Sequence, residues 1–156
     1  MNKSTEIDVG MPAPYFELMD QHGNVQTLTS YRGKWVVLYF YPKDDTSGCT
    51  KEACHFRDDF LLLKNADAQV LGVSIDTQES HKKFAEKYNL PFPLLVDLKG
   101  KLAETYGSLS SKGLAQRHTF IIDPDGNIAK IYRSVDTNTH SQQIINHLKT
   151  LQNSPL

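Results

Sequence analysis

The sequence predicts an α/β domain with a central mixed β-sheet, helices on both faces of that sheet and an N-terminal β-hairpin. Residues 35–41 and 68–75 form short, almost unbroken apolar runs, which are typical of strands buried on both faces. Each run is followed by a stretch with the apolar spacing of a helix, as in βαβ units. A turn-rich segment at 123–127 separates two further apolar runs, which predicts a closing antiparallel hairpin and therefore a mixed sheet.

The other elements follow from local periodicity. The N-terminal hairpin is predicted from alternating polarity at 15–20 and 25–28, on either side of a turn that contains Gly23 and Asn24. Helices are predicted over residues 50–64, from 76–80 up to the break at Pro91, over 102–106 and over 141–149. Further strands are predicted at 94–96, 117–122 and 128–132, with a loop at 108–116. No repeat or linker interrupts this order, so we expect a single domain over residues 1–156.

Charge and hydropathy exclude two classes of partner. The formal net charge is -1, with 17 Lys and Arg against 18 Asp and Glu, so no basic excess is available to neutralise nucleic-acid phosphates. No apolar run approaches the ~20 residues that a membrane helix needs. The first residues lead into no apolar segment of a secretory signal, and we therefore expect a cytoplasmic location.

Both cysteines of the chain lie directly after the predicted strand 35–41, and they are the first candidates for chemistry. Two cysteines do not form the disulfide framework of a small secreted domain. The six histidines are dispersed, and no four ligands have the spacing of a zinc site. We therefore do not expect a structural zinc site.

Cys49 has the surroundings of a reactive thiol. It falls at the start of the predicted helix, where backbone N–H groups without intrahelical partners favour an anion such as a thiolate. Gly48 allows close approach of the backbone. Reaction with a peroxide also needs donors that polarise the O–O bond, and the Thr46 hydroxyl and the Arg117 guanidinium are the candidates.

Cys54 lies five residues after Cys49, which is not the Cys-x-x-Cys spacing of a general disulfide oxidoreductase. Residues five apart in an α-helix differ by about 140° in azimuth and about 7.5 Å in rise. Their Cα atoms then lie beyond the ~7 Å limit for a disulfide. If both cysteines take part in one reaction, the first turns of the helix must unwind during the cycle.

The segment 42–49 resembles the active-site signature Pro-x-x-x-Thr-x-x-Cys of the peroxiredoxins. Further stretches are similar to the bacterioferritin comigratory protein/PrxQ subfamily, so the resemblance covers nearly the whole chain. These stretches are residues 13–18, 20–23, 70–74 and 119–123. Carried onto this chain, the signature residues are Pro42, Thr46, Cys49 and Arg117.

The resemblance implies a thioredoxin-like fold and a thiol peroxidase that needs no metal, haem or flavin. Cys49 would be the peroxidatic cysteine that becomes a sulfenic acid, and Cys54 the resolving cysteine that condenses with it to an intramolecular disulfide. Pro42 would shield the thiolate, while Thr46 and Arg117 would position hydrogen peroxide or an organic hydroperoxide. Thioredoxin or a related dithiol would be the reductant, and an intramolecular resolving cysteine favours a monomer.

Two alternatives remain open at this point. In the first, Cys54 is structural and the protein is a one-cysteine peroxidase completed by an external thiol. In the second, the same fold serves as a redox-regulated binding or chaperone module without turnover.

The sequence leaves a few other side chains to be interpreted. Glu52 is either an acid beside the active site or a solvated side chain. Tyr39 and Tyr41 are predicted to pack in the strand, and the histidines are interpreted as surface or core residues.

Overall fold

The computed structural model describes residues 7–153, and its elements follow the order expected from the sequence. The N-terminal residues on which the prediction of no secretory signal rests lie largely outside this range. The strands are β1 Glu17–Met19, β2 Val25–Thr27, β3 Trp35–Phe40, β4 Ala68–Ser74, β5 Leu94–Val96, β6 Thr119–Ile122 and β7 Ile128–Tyr132. The α-helices are α1 Ser47–Asp58, α2 Phe60–Asn65, α3 Gln78–Tyr88, α4 Lys101–Thr105 and α5 His140–Gln152, with a 3-10 helix at Leu28–Tyr31.

The central sheet is mixed, as predicted, and has the strand order β5-β4-β3-β6-β7. Strands β3, β4 and β5 are parallel, whereas β6 runs antiparallel to both β3 and β7. Strands β1 and β2 form the predicted N-terminal hairpin as a separate antiparallel pair. The carboxyl end of β3 therefore lies beside the amino end of β6, at the centre of the sheet.

Two apolar clusters cover the two faces of the sheet, because successive side chains of a strand point in opposite directions. Val37, Tyr39 and Tyr41 face a cluster to which α1, α2, α3 and α5 contribute. Leu38 and Phe40 face the other cluster, to which α4 and the N-terminal hairpin segment contribute. Strand β3 is thus buried on both sides, which fixes the position of the turn that follows it.

The helix predicted over residues 50–64 is wrong in its boundaries. Helix α1 begins at Ser47, three residues earlier, and the helical stretch is interrupted at Asp59 before α2. The Asp59 backbone leaves helical geometry at ψ 12°, and its carboxylate accepts a hydrogen bond from the Ser141 hydroxyl at 2.7 Å. Leu61, the second residue of α2, is 69% exposed and does not lie on a buried face.

The loop at 108–116 is more ordered than its composition suggests. Leu109 and Ala115 pair in an antiparallel bridge, and the Gln116 amide donates to the Ser108 carbonyl at 2.7 Å.

Among residues 7–153, no helix has the length and hydropathy that a membrane span requires.

Candidate active site

The candidate site is built where β3 passes through a turn into α1. Thr46 precedes the first helical residue in extended geometry, and its carbonyl accepts the Thr50 amide at 2.8 Å. Cys49 is the third residue of α1, so it lies in the first helical turn, as predicted. The residue is 1% exposed and packs in the apolar cluster beneath the helix.

The sheet register brings Arg117 to this helix start from far along the chain. Strand β6 is antiparallel to β3, with Tyr39 opposite Thr119, and the Phe40 amide donates to the His118 carbonyl at 2.8 Å. Arg117 therefore lies next to the carboxyl end of β3, where the turn begins. Its proximity to Cys49 follows from strand pairing and not from a flexible loop.

The Arg117 guanidinium joins the thiol to a buried carboxyl group. Its Nη2 donates to Cys49 Sγ at 3.3 Å, and its Nη1 donates to Glu52 Oε1 at 2.8 Å. The Arg117 side chain is 23% exposed, whereas Glu52 is 1% exposed. The guanidinium is therefore the part of this group that a molecule arriving from solvent would meet.

Gly48 leaves the space that this guanidinium occupies. A Cβ atom at position 48 would lie 3.1 Å from Arg117 Nη2 and 3.9 Å from Thr137 Cγ2. The first distance is shorter than ordinary van der Waals contact, so a methyl group here would require Arg117 to shift by a few tenths of an ångström. The requirement is for close approach, because Gly48 itself lies in the helix.

Glu52 is a buried acid with an altered pKa. Burial raises the pKa of Glu52 to about 7, against the opposing effect of the adjacent Arg117 charge and its hydrogen bond. Burial also tends to lower the pKa of Arg117, but Cys49 and Glu52 outweigh it and raise that pKa. One guanidinium thus contacts both the Cys49 sulfur and the Glu52 carboxyl group.

Two buried polar atoms beside this group have no hydrogen-bond partner among the described residues: Glu52 Oε2 and the Tyr39 hydroxyl. Burial raises the pKa of Tyr39 well above its usual value, and Glu52 and Cys49 raise it further. The phenol therefore stays neutral. Since an ionised carboxylate without a full set of donors is costly in such a place, the geometry explains why Glu52 binds its proton more tightly than usual.

Thr46 and Pro42 flank the turn as the sequence predicted, but their contacts are more local. The Thr46 hydroxyl donates to the Lys43 carbonyl at 2.9 Å. Pro42 is half-buried and lines a pocket of about 310 Å³ with Ile75 and Leu114. Their assigned roles towards a peroxide therefore stay predictions.

Cys54 lies on the same helix in different surroundings. Both thiols are free, and Cys54 is half-buried. Burial raises the pKa of the Cys54 thiol, an effect that Arg57 partly offsets and Asp58 reinforces. Because α1 is continuous from Ser47 to Asp58, the helix separates the two cysteines as the spacing argument required.

Comparison with known proteins identifies the family to which this chain belongs. Residues 9–131 match the AhpC/TSA family. The peroxiredoxin Bcp of Bacillus subtilis is 45% identical over 153 residues, which covers 93% of this chain and 97% of the relative. The crystal structure of PrxQ from Xylella fastidiosa has a TM-score of 0.91 at 30% identity, covering 96% of this chain and 99% of that one.

A third similar structure is the bacterioferritin comigratory protein of Xanthomonas campestris, described for its alkyl peroxide reduction activity. It has a TM-score of 0.86 at 30% identity, and the match covers 92% of this chain and 99% of that one. The chain therefore belongs to the AhpC/TSA family of thiol peroxidases and has the thioredoxin-like fold that the resemblance implied. Proteins named Bcp and PrxQ are among the relatives and solved structures to which this chain is similar.

Sequence reasoning left Glu52 undecided and assigned Tyr39 only to strand packing. The signal for Glu52 was its position three residues after Cys49, which places both side chains on one face of a helix. The signal for Tyr39 was alternation, since it shares a sheet face with Tyr41. Neither pattern alone identifies an acid coupled to Arg117.

The pKa of Glu52 predicts a pH dependence of stability. Between its ordinary value of 4.5 and about 7, the folded protein binds a proton that the unfolded chain releases. The free energy of unfolding should therefore decrease as pH rises through this window, by about 3 kcal/mol in total. Urea unfolding of the wild type and of Glu52→Gln at a series of pH values measures the difference. Parallel curves for the two proteins would refute the assignment.

Proposed function

We propose that this protein reduces peroxides with Cys49 as the peroxidatic thiol and Cys54 as the resolving thiol. The single observation that supports this most strongly is the contact between Arg117 Nη2 and Cys49 Sγ at 3.3 Å. A guanidinium at that distance stabilises a thiolate and can donate to an oxygen that approaches the sulfur. The membership in a family of thiol peroxidases supports the same reaction.

The first step forms one bond and breaks another. The Cys49 thiolate attacks the terminal peroxide oxygen, the S–O bond forms, and the O–O bond breaks. The sulfur is oxidised to a sulfenic acid, and the leaving hydroxide or alkoxide takes up a proton to give water or an alcohol. Arg117 stabilises the negative charge that develops on the leaving oxygen, and the amides at the start of α1 contribute in the same direction.

The second step would join Cys49 to Cys54. The Cys54 thiolate attacks the sulfenic sulfur, the disulfide forms, and the hydroxyl leaves as water after protonation. Its raised pKa makes Cys54 a poor competitor for the peroxide while α1 is folded. Unwinding of the first turns would expose the thiol and bring the two sulfur atoms within bonding distance.

The partners follow from this cycle. A dithiol such as thioredoxin would reduce the disulfide, and hydrogen peroxide and organic hydroperoxides would be the substrates. The described activity of the Xanthomonas campestris relative supports the organic class. An intramolecular disulfide needs no second chain, so we propose a monomer. We also propose a cytoplasmic location.

Removal of the Arg117 charge should slow the first step. In stopped-flow oxidation by hydrogen peroxide, we expect Arg117→Met to lower the second-order rate constant by about 10² to 10³, because a donor to the developing charge is lost. Arg133→Met is a suitable control, since Arg133 is exposed and lies over the Phe120 ring. A wild-type rate no better than that of a free thiol would remove the enzyme proposal and favour a binding or chaperone module.

Cys54→Ser separates the two-cysteine cycle from the one-cysteine alternative. We expect this variant to keep the rate of the first oxidation and to lose turnover with thioredoxin, because the sulfenic acid has no internal partner. Peptide mapping after one equivalent of peroxide should find a Cys49–Cys54 disulfide in the wild type only. Full thioredoxin-dependent turnover by the variant would support the alternative with a structural Cys54.

Gly48→Ala should change activity and stability in different directions. Alanine favours the helix, by at most about 1 kcal/mol relative to glycine. Its Cβ would nevertheless lie 3.1 Å from Arg117 Nη2, so the guanidinium would have to move by a few tenths of an ångström away from its place beside Cys49. We expect roughly tenfold slower oxidation by peroxide with no loss of stability in urea unfolding. An unchanged rate would show that the position of Arg117 tolerates this displacement.

A further inference from the structure

The turn between β3 and α1 is fastened to the rest of the protein by a buried network centred on Asp44. Its Oδ1 accepts a hydrogen bond from the Tyr41 hydroxyl at 2.6 Å. Its Oδ2 accepts one from the Ser80 hydroxyl at 2.8 Å and lies 2.7 Å from His81 Nδ1. The Asp44 amide donates to Asp76 Oδ2 at 2.8 Å. One aspartate thus links the turn to β3, to α3 and to the segment that precedes α3.

The hydrogen-bond partners of the two ring nitrogens of His81 require a proton between His81 and Asp44. The other ring nitrogen of His81, Nε2, lies 2.8 Å from the carbonyl oxygen of Leu95, which can only accept. Nε2 therefore carries hydrogen. Two lone pairs cannot face each other at 2.7 Å, so a proton also lies between Nδ1 and the Asp44 carboxylate. The same carboxylate also accepts hydrogen bonds from the Tyr41 and Ser80 hydroxyls, and the side chains of His81 and Asp44 are almost completely buried.

A second aspartate fastens the same turn from the outside. Asp45 has a φ of 59°, a left-handed conformation that non-glycine residues adopt at a cost of about 1 kcal/mol or more. Its carboxylate accepts from Lys87 Nζ at 2.8 Å and from the Tyr88 hydroxyl at 2.9 Å. The Asp45 and Lys87 side chains are exposed, and an exposed ion pair contributes little. The buried pair is therefore the stronger restraint on the turn.

We propose that His81, through Asp44, is a positioning residue for peroxide reduction. The inference rests on the proposed function of Cys49. Asp44 lies midway between Pro42 and Thr46, so the His81–Asp44 pair holds both flanks of the turn in place before the helix begins. The pair touches no reacting atom. It fixes the entry of the chain into α1 and, with it, the donors that surround the Cys49 sulfur.

Two substitutions of the same histidine isolate the contact with Asp44. The amide of His81→Asn occupies the place of Nδ1 and can donate to Asp44, whereas His81→Gln reaches the Leu95 carbonyl and leaves Asp44 without this partner. Both remove the ring, so both lose its packing. We expect His81→Gln to be oxidised by hydrogen peroxide at least about tenfold more slowly than the wild type, and His81→Asn within about threefold of it.

The rate at which iodoacetamide alkylates Cys49 distinguishes a positioning role of His81 from a general structural one. Alkylation also uses the thiolate, but it breaks no O–O bond and therefore needs no donor to a leaving oxygen. We expect the alkylation rate of His81→Gln to be unchanged or higher, while its peroxide rate falls. Lys87→Met is the matched control for the exposed pair on the same turn, and its peroxide rate should stay within about threefold of the wild type.

The outcomes distinguish this inference from the proposed function. Equal peroxide rates for His81→Asn and His81→Gln, or a proportional loss of alkylation and oxidation, would overturn the positioning role alone. A wild type that reacts no faster than a free thiol would refute the proposed function and the inference with it. If the histidine variants do not fold, Tyr41→Phe removes only the hydroxyl that donates to Asp44. A peroxide rate at least about threefold lower supports the inference, and an unchanged rate overturns it.

Discussion

The contact of one guanidinium with both a thiol and a buried carboxyl group is the interaction on which the rest of this site depends. Arg117 reaches Cys49 and Glu52 at once, and each contact needs a separate structural condition. The antiparallel pairing of β6 with β3 brings residue 117 to the helix start, and Gly48 leaves room for its nitrogen atoms. Glu52 holds the second arm of the guanidinium and thereby fixes which arm faces the sulfur.

The same helix gives the two cysteines different properties. Cys49 lies in the first turn, beside a cation and beneath the free amides of the helix start. Cys54 lies more than one turn later, where burial raises the pKa of its thiol. The folded helix therefore favours attack by Cys49 and prevents a bond between the two residues. In the proposed cycle, α1 unfolds locally after the peroxide has reacted. Cys54 then becomes able to attack, and the helix no longer holds the two cysteines apart.

The order of the elements and the candidate residues of the site could be predicted from the sequence, because they depend on local patterns or on a short family signature. The order of strands and helices followed from apolar periodicity, and Cys49, Thr46, Pro42 and Arg117 followed from a resemblance. The break at Asp59 was not predicted: no glycine or proline marks it, and the Asp59 carboxylate has its partner in Ser141, 82 residues later. The pairing of Asp44 with His81 is equally non-local, and neither residue has a local pattern that reveals it. Contacts of this kind are decided by packing of whole elements.

The central claim is that the surroundings of Cys49, and not its chemistry as a free thiol, make it the peroxide-reactive group. Single-turnover oxidation of two chains with one cysteine each, Cys54→Ser and Cys49→Ser, measures this directly. The chain that retains Cys49 should react with hydrogen peroxide at least about 10² times faster, because only its sulfur has the Arg117 donor and the amides of the helix start. Equal rates for the two chains would contradict the claim.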